Sequence, residues 1–273
     1  MATLELSPTV FSILSGLIEE RAGLHYGLLD RELLQEKASA RALEVGFDSL
    51  LDYYYFLRYD PGGELEFSAL IEALVVGETY FFREWPAVEV IVNSFISPWC
   101  ATGRRLRVWS AACATGEEPL SLAMLLDDRN LLNQVEIIAT DISSKALTRA
   151  QRGRYGRRSI RSVPDQRLID RYLHTEGNEF VVNPDLVSAI RWERLNLLSE
   201  EYPVQIGLFD LIMCRNVLIY FSDQTVKSVL NRLSRSLVQN GVLLVGVSES
   251  LLRYGSSLTG EERGGAFVYR KAA

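Results

Sequence analysis

From about residue 104 onward the chain alternates short apolar runs with helix-like stretches, and this alternation restricts its fold more than any other feature. Residues 106–110, 135–139, 209–214, 242–247 and 266–270 read as strands, and 118–126, 143–152 and 223–237 as helices. Strand and helix in alternation predict an α/β fold with a doubly wound, mostly parallel sheet. The pattern breaks between about 160 and 195. There, 180–182 and 189–193 read as short antiparallel strands around a turn at Gly177-Asn178, a small β insertion within the sheet domain.

The first 80 residues have a different texture. Ser7-Pro8 is a helix start, followed by apolar Phe11, Leu14, Leu17 and Ile18, with Gly23 as a stop. A second helix is expected over about 31–45, ending at Gly46. Asp48 is expected to cap a third, carrying Tyr53, Phe56 and Leu57. Pro61-Gly62-Gly63 then breaks the chain before a fourth with Leu65, Leu70, Ile71 and Leu74. The expected organisation is a helical N-terminal domain over 1–80, a connecting segment over 81–103 and a sheet domain over 104–273. Charge supports the division. Residues 1–80 hold 14 acidic and 5 basic side chains, a net of −9, whereas 81–273 hold 21 and 24, a net of +3.

Composition narrows the chemistry. Hydrophobic residues make up 48% of the chain, enough for a core, so wholesale disorder is excluded. Two histidines, His25 and His174, rule out a multi-histidine zinc site, and no metal is expected. The nearest string to a hydrolase nucleophile elbow, Gly246-Val-Ser-Glu-Ser250, lacks the second glycine. Cys100, Cys113 and Cys214 form no C-x-x-C pair, which suits a reducing compartment. Neither a signal-peptide pattern nor an apolar run of membrane-spanning length is visible, so a cytoplasmic protein without membrane insertion, and a monomer, is expected. Seven arginines lie between Arg152 and Arg171. They read either as a solvated face or as a docking surface for an anionic partner. Nucleic acid is not expected as that partner, because the chain is acidic overall and carries no nucleic-acid-binding motif.

In doubly wound folds, ligands sit at the carboxyl ends of the strands. The first strand runs into Ala111-Ala-Cys-Ala-Thr-Gly-Glu-Glu-Pro119, whose small residues, Ala112 among them, and Gly116 allow close backbone approach. The second ends at Asp141, 25 residues after Gly116, where a carboxylate can accept from both hydroxyls of an adenosine ribose. A glycine turn and a later acid fit NAD, FAD or S-adenosylmethionine (SAM) alike. Electrostatics separates them. A dinucleotide places its diphosphate at the start of the first helix, where this chain has Glu117 and Glu118. SAM has no phosphate, and its sulfonium and amino group are cationic, so the acidic pair favours SAM. The other use of the pair is to complement the helix dipole. Arg83, beside Phe81 and Phe82, needs an anionic partner, which a SAM or substrate carboxylate supplies. Asn196 precedes the 209–214 strand and can hydrogen-bond an adenine edge, and 213–221 follow that strand, where methyltransferases place their acceptor.

Five strings together resemble the chemotaxis-receptor methyltransferase (CheR-type) family: Glu78-Thr-Tyr-Phe-Phe-Arg-Glu84, Val108-Trp-Ser-Ala-Ala-Cys-Ala-Thr-Gly-Glu-Glu-Pro119, Ile138-Ala-Thr-Asp-Ile142, Phe209-Asp-Leu-Ile-Met-Cys-Arg-Asn-Val-Leu-Ile-Tyr-Phe221 and Gly246-Val-Ser-Glu249. They come in the family's order and spacing. The resemblance implies transfer of the SAM methyl group to glutamates of chemoreceptor cytoplasmic helices, with S-adenosylhomocysteine as co-product. It implies Thr79 and Arg83 at the amino-acid end of SAM, Glu117 facing its cationic groups, Asp141 on the ribose and Asn196 and Leu197 on the adenine. Arg215 and Asn216 line the site near the methyl group, and Tyr220 stands near the transfer centre, so Arg83, Arg215 and Tyr220 are the expected catalytic set. Gly77 stands where the family commonly has asparagine. Lys37 and Arg41, one turn apart on the second helix, are the expected receptor-docking residues. Members that grip a receptor C-terminal pentapeptide carry a longer, glycine-rich loop where this chain has His174-Thr-Glu-Gly-Asn-Glu179, so no such peptide is expected to bind. The alternatives are a methyltransferase with another acceptor and a non-catalytic SAM-binding interaction module.

Overall fold

The structure, a computed structural model, describes residues 3–200, 206–255 and 257–272. Met1, Ala2 and Ala273, which fall in the domain ranges expected above, lie outside the described residues. The chain forms two compact units: Met1–Val76 with Tyr220–Thr225, and Gly77–Ile219 with Val226–Ala273.

In the first unit Ser7 starts helix α1 (Pro8–Ala22), its side chain accepting the Val10 N–H at 3.3 Å. Pro8 suits the first turn, where no amide partner is needed, and Gly23 ends the helix in the left-handed region at φ 79°. Helices α2 (Arg31–Glu44), α3 (Leu50–Tyr59) and α4 (Gly63–Leu74) follow. The cap of α3 is Ser49, one residue later than the expected Asp48, because the Ser49 side chain is the one that accepts the Asp52 N–H. Residues at helical spacing meet in the core: Leu14, Leu17 and Ile18 of α1, Leu34 and Ala38 of α2, Tyr53 and Leu57 of α3, and Leu70, Ile71 and Leu74 of α4. Among them lies one buried carboxylate, Glu66. It accepts Nε and Nη2 of Arg41 at 2.7 and 2.6 Å and the Tyr53 hydroxyl at 2.6 Å. Burial, then the Glu66 bond and charge, push the Tyr53 phenol far above its ordinary value, so it donates at all working pH. Tyr220–Thr225 joins this unit through the His25 N–H, which donates to the Tyr220 carbonyl at 2.8 Å, and through a Leu24–Phe221 antiparallel bridge.

The second unit holds strands β1 (Leu106–Ala111), β2 (Val135–Asp141), β3 (Arg154–Tyr155), β4 (Leu173–Glu176), β5 (Glu179–Val182), β6 (Ile190–Arg194), β7 (Phe209–Cys214), β8 (Leu237–Val245), β9 (Leu258–Arg263) and β10 (Ala266–Lys271). Seven form a sheet of order β6-β2-β1-β7-β8-β10-β9, parallel from β6 to β8 and antiparallel at β10 and β9. The chain winds outward in one direction through β2 and β6 and in the other through β7 and β8. The order therefore reverses between β1 and β7, and a crevice is expected above their carboxyl ends. Helix α7 (Glu117–Asp128), which follows β1, is buried almost all round. Residues 85–100 of the expected connecting segment are helical: α5 (Trp85–Ile91), a π turn (Val92–Ile96) and α6 (Ser97–Cys100). Helices α8 (Ser144–Arg152), α9 (Gln166–Tyr172) and α10 (Pro184–Ser188) complete the part before β6.

One strand pairing differs from expectation. Residues 190–193 of that stretch fall in β6, which runs parallel to β2 from Ile137↔Ile190 to Asp141↔Arg194, in the main sheet. The antiparallel partner of β5 is β4, and β3 completes that three-stranded sheet. The insertion thus spans β3 to β5, residues 154–182. An alternating strand pattern reports one wet face and one dry face, which β6 has as an edge strand, but it does not name the neighbour. Among the described residues no helix is long and apolar enough to cross a membrane.

The Glu66 cluster yields a prediction. Glu66→Ala leaves Nε and Nη2 of Arg41 and the buried Tyr53 hydroxyl without their acceptor, with only exposed Glu44 still paired to the guanidinium. Unfolding stability is expected to fall by about 2–4 kcal/mol, read as a lower midpoint in urea with an unchanged slope. Loss of under about 0.5 kcal/mol, the range of an ordinary surface substitution, would show that the cluster does not hold the helices together.

Candidate active site

The turn after β1 carries unusual backbone. Ala112, Ala114 and Gly116 all have positive φ, at 59°, 47° and 90°. Left-handed alanines are uncommon and cost roughly 1 kcal/mol each, so the surroundings must hold them. They do: the Cys113 N–H donates to the Thr140 carbonyl at 2.9 Å, the Ala114 N–H to Asp141 Oδ2 at 2.8 Å, and the Gly116 N–H to the Cys113 carbonyl at 2.9 Å. A Cβ on Gly116 would lie 2.7 Å from the Ala150 Cβ and 2.9 Å from Trp192, so the position needs glycine for space as well as for φ. Asp141, at the end of β2, is buried and also accepts the Ser143 N–H at 2.9 Å through Oδ1. Its carbonyl takes the Leu195 N–H at 2.9 Å, bringing the end of β6 and the following Asn196 and Leu197 beside it. Asn196 folds its own loop, its Oδ1 accepting the Leu198 N–H at 2.9 Å.

At the start of α7 the two acids have separate surroundings. Glu117 is 1% exposed and accepts the Thr115 hydroxyl at 2.6 Å and the Ser159 hydroxyl at 2.8 Å. Glu118 accepts the Ser110 hydroxyl at 2.6 Å and Arg215 Nη1 at 2.9 Å. The Arg215 side chain, 2% exposed, also donates Nη2 to Glu84 Oε2 at 3.0 Å and to the Arg83 carbonyl at 2.7 Å. Glu84 in turn accepts Asn216 Nδ2 at 3.1 Å and the Val247 N–H at 3.2 Å. Asn216 has φ 58°, and buried Glu249 holds that turn by accepting N–H groups from Asn216 at 2.7 Å, Leu218 at 2.7 Å and Gly246 at 2.8 Å. One buried network thus ties together the carboxyl ends of β1, β7 and β8, the start of α7 and the segment before α5.

The protonation tendencies follow from it. Burial pushes the Glu84 carboxyl up, but the Arg215 charge and the bonds from Asn216, Arg215 and Val247 outweigh it and hold Glu84 below the usual carboxylate range. For Glu118 burial prevails over Arg215 and Ser110, and its carboxyl lies above that range. Burial works against the Arg215 charge, yet Glu118 and Glu84 outweigh it and keep the guanidinium protonated. Burial, reinforced by neighbouring acids, pushes the Cys113 and Cys214 thiols well up, so neither offers a thiolate at neutral pH.

Residues 77–260 match the model of the family described as "CheR methyltransferase, SAM binding domain". The chain is 33% identical over 243 residues to chemotaxis protein methyltransferase Cher2 of Pseudomonas putida, covering 86% of this chain and 87% of that one. It is 31% identical over 261 residues to chemotaxis protein methyltransferase 2 of Vibrio cholerae, covering 94% and 90%. The chain belongs to the CheR methyltransferase family. It is a SAM-dependent methyltransferase of the chemotaxis type.

Of the residues singled out from the sequence, Ala112, Glu117, Asp141, Asn196, Leu197, Arg215 and Asn216 lie at or just beyond the carboxyl ends of four adjacent strands, β6, β2, β1 and β7. Gly77, Thr79 and Arg83 lie on the segment that the Arg215 network fastens. Arg83 donates Nη1 to the Glu78 carbonyl at 3.1 Å, and Arg161 lies 4.0 Å over the Tyr80 ring. Gly77 is exposed and a Cβ there would meet nothing within 4 Å, so no packing constraint demands glycine. Tyr220 is grouped with the helical unit instead. There Lys37 Nζ donates to the Leu74 carbonyl at 3.3 Å, and Arg41 is engaged by Glu66 and Glu44. Four of the seven clustered arginines are ion-paired: Arg154 to Glu176 and Glu179, Arg161 to Glu78, Arg167 to Asp165, and Arg171 to Asp127 and Asp128. Glu84, Glu249, Ser110 and Ser159 received no role from the sequence. The signal available for Glu84 and Glu249 was a carboxylate within a few residues of an apolar run, Phe81-Phe82 and 242–245 respectively.

A pH experiment checks the network. Glu84 has a lowered folded value, so the stability it contributes is complete above the unfolded carboxylate value of about 4.3 and is lost as pH falls through the lower folded value. The stability gap between the wild type and Glu84→Gln is expected to stay constant from pH 7 to about pH 5 and to shrink below about 4.3. A gap that widens on acidification would contradict the pairing of Glu84 with Arg215.

Proposed function

We propose that this chain transfers the SAM methyl group to glutamate side chains of chemoreceptor cytoplasmic helices, forming glutamyl methyl esters, and that it does so without gripping a receptor C-terminal pentapeptide. The observation that carries the reading is the charge at the start of α7. Glu117 is buried there, at the place where a dinucleotide puts its diphosphate, directly after the turn of alanines and glycine that Asp141 holds. This donor set fits a cationic sulfonium nucleoside and opposes a diphosphate.

In this reading Asp141 holds the ribose, Asn196 and Leu197 the adenine side, and Glu117 the cationic groups. Thr79 and Arg83 hold the carboxylate of the amino-acid end, while Gly77 and Ala112 contribute backbone. Bound SAM supplies a methyl group made electrophilic by the sulfonium. The receptor glutamate has an ordinary value near ~4.3, so it arrives ionised and needs no general base. What the protein supplies is alignment and exclusion of water. Arg215, with its guanidinium engaged by Glu118, Glu84 and the Arg83 carbonyl, acts as a positioning residue. It fixes the segment that carries Arg83 against the end of β7. Glu249 does the same for the Asn216 turn. Pentapeptide independence is supported by the β4–β5 hairpin, where Glu176 pairs with Glu179 across a two-residue turn, Gly177-Asn178, too short for an extended binding loop.

One observation favours a second reading, transfer to a carboxylate on a different protein. On α2 the charge of Arg41 is offset by Glu66 and Glu44. An acidic receptor helix therefore finds the charge of one of the two expected docking positions, Arg41, already met by acids of the same unit.

Two measurements test the proposal. Methyl-labelled SAM and a receptor cytoplasmic fragment are expected to give base-labile label released as methanol, at the same rate after removal of the last five receptor residues. Base-stable label excludes the ester, and a rate that collapses on truncation excludes pentapeptide independence. Asp141→Ala is expected to weaken SAM binding at least tenfold, about 1.4 kcal/mol, in calorimetric titration. Unchanged affinity removes the ribose assignment.

A further inference from the structure

We infer that Ser159 is a positioning residue for the Glu117 carboxylate, through which the segment at the start of the antiparallel insertion sets affinity for the cationic amino-acid end of SAM. The inference rests on the proposed role of Glu117. Each Glu117 oxygen has one hydroxyl donor: Thr115 on Oε2 at 2.6 Å and Ser159 on Oε1 at 2.8 Å. Thr115 lies on the same turn and moves with it. Ser159 comes from 42 residues further along the chain, in the short helical turn Arg157–Ile160 after β3, and is 6% exposed. A carboxylate has about four acceptor positions. Two hydroxyl donors fix its plane and leave acceptor capacity for a cationic ligand.

The Ser159 backbone is itself held on both sides. Its N–H donates to the Gly156 carbonyl at 3.0 Å, and its carbonyl accepts the Phe81 N–H at 2.8 Å. Four residues earlier, fully buried Tyr155 donates its hydroxyl to the Thr115 carbonyl at 2.7 Å and packs edge-on against Phe81, with ring centroids 4.9 Å apart. Residues 155–159 therefore clamp two pieces at once: the 115–117 turn with Glu117, and the 79–83 segment with Thr79 and Arg83. These are the two pieces assigned above to the amino-acid end of SAM. The Ser159 hydroxyl is the part of the clamp that can be removed without touching the rest.

The test uses the full chain and two ligands, SAM and 5′-methylthioadenosine. The latter keeps the adenosine and lacks both the amino-acid end and the positive sulfur. Ser159→Ala is expected to weaken SAM about tenfold, the size of one hydrogen bond to a charged group, and to leave methylthioadenosine within about twofold. Glu117→Gln is expected to lose the same selectivity. Ser159→Ala added to Glu117→Gln should then change SAM affinity by less than about twofold, because the two act as one unit. Turnover at saturating SAM should stay close to wild type in Ser159→Ala. Equal weakening of both ligands, or an undiminished effect in the Glu117→Gln background, overturns the inference. A selectivity lost in Glu117→Gln but kept in Ser159→Ala overturns it alone. Unchanged selectivity in Glu117→Gln removes the role of Glu117 and the inference with it.

Discussion

Arg215 sits at the end of β7 with its charge almost wholly removed from water, and the surrounding architecture is arranged to make that tolerable. A buried guanidinium is stable only where anions and acceptors surround it at good geometry. Here Glu118 comes from the first turn of α7, and Glu84 and the Arg83 carbonyl come from the segment before α5. The three pieces are 97 to 132 residues from Arg215 in sequence, and they can meet only if β1 and β7 are parallel neighbours. The ion network therefore fixes the relation between the strand ends on either side of the point where the sheet order reverses. Removing either acid leaves positive charge buried without full compensation, whereas burial alone would favour discharging Glu118.

Around that clamp the strained backbone becomes affordable in energetic terms. Left-handed alanines at Ala112 and Ala114 and a left-handed Asn216 are held by donors and acceptors fixed by other strands: Asp141 for Ala114, the Thr140 carbonyl for Cys113, Glu249 for Asn216. Carboxylates do much of this work because each has two oxygens that accept from several backbone N–H groups at once, and a charge-assisted bond is the stronger kind. The proposed transfer, to an acceptor that is already ionised, asks for geometry more than for acid–base groups. The absence of a thiolate at Cys113 or Cys214 is consistent with that demand.

The parts visible in the sequence are those that depend on near neighbours. Helices α1 to α4 follow from local spacing, and most of the parallel strands follow from compact apolar runs. The glycine at 116 and the acid at 141 mark the strand ends without reference to distant residues. Pairing was harder to see. The half-wet pattern of Ile190-Arg191-Trp192-Glu193 is that of any edge strand, and only contact with β2 distinguishes a sheet edge from a hairpin. The same limit hid the partners of Glu117 and Glu118. Two adjacent acids look equivalent in a string, yet one points to Thr115 and Ser159 and the other to Ser110 and Arg215. That division arises from helical geometry, which turns successive residues about 100° apart, and from segments 42 and 97 residues away.

Charge in the helical unit obeys the same logic at lower density. Its 14 acidic and 5 basic residues give a net of −9, so a lone basic residue there is drawn to an acid on the same unit before any external partner. Arg41 illustrates this. Its fork is matched by Glu66 on α4, and burial of Tyr53 against the same carboxylate makes that pairing a packing feature rather than a surface accident. Lys37, one turn earlier, donates to a backbone carbonyl at the end of α4. A docking face built on α2 would therefore have to rely on shape and on exposed apolar side chains such as Leu33 and Leu43 as much as on charge. Long-range attraction of an acidic helix falls with salt, and a surface with little free positive charge has little of it to lose.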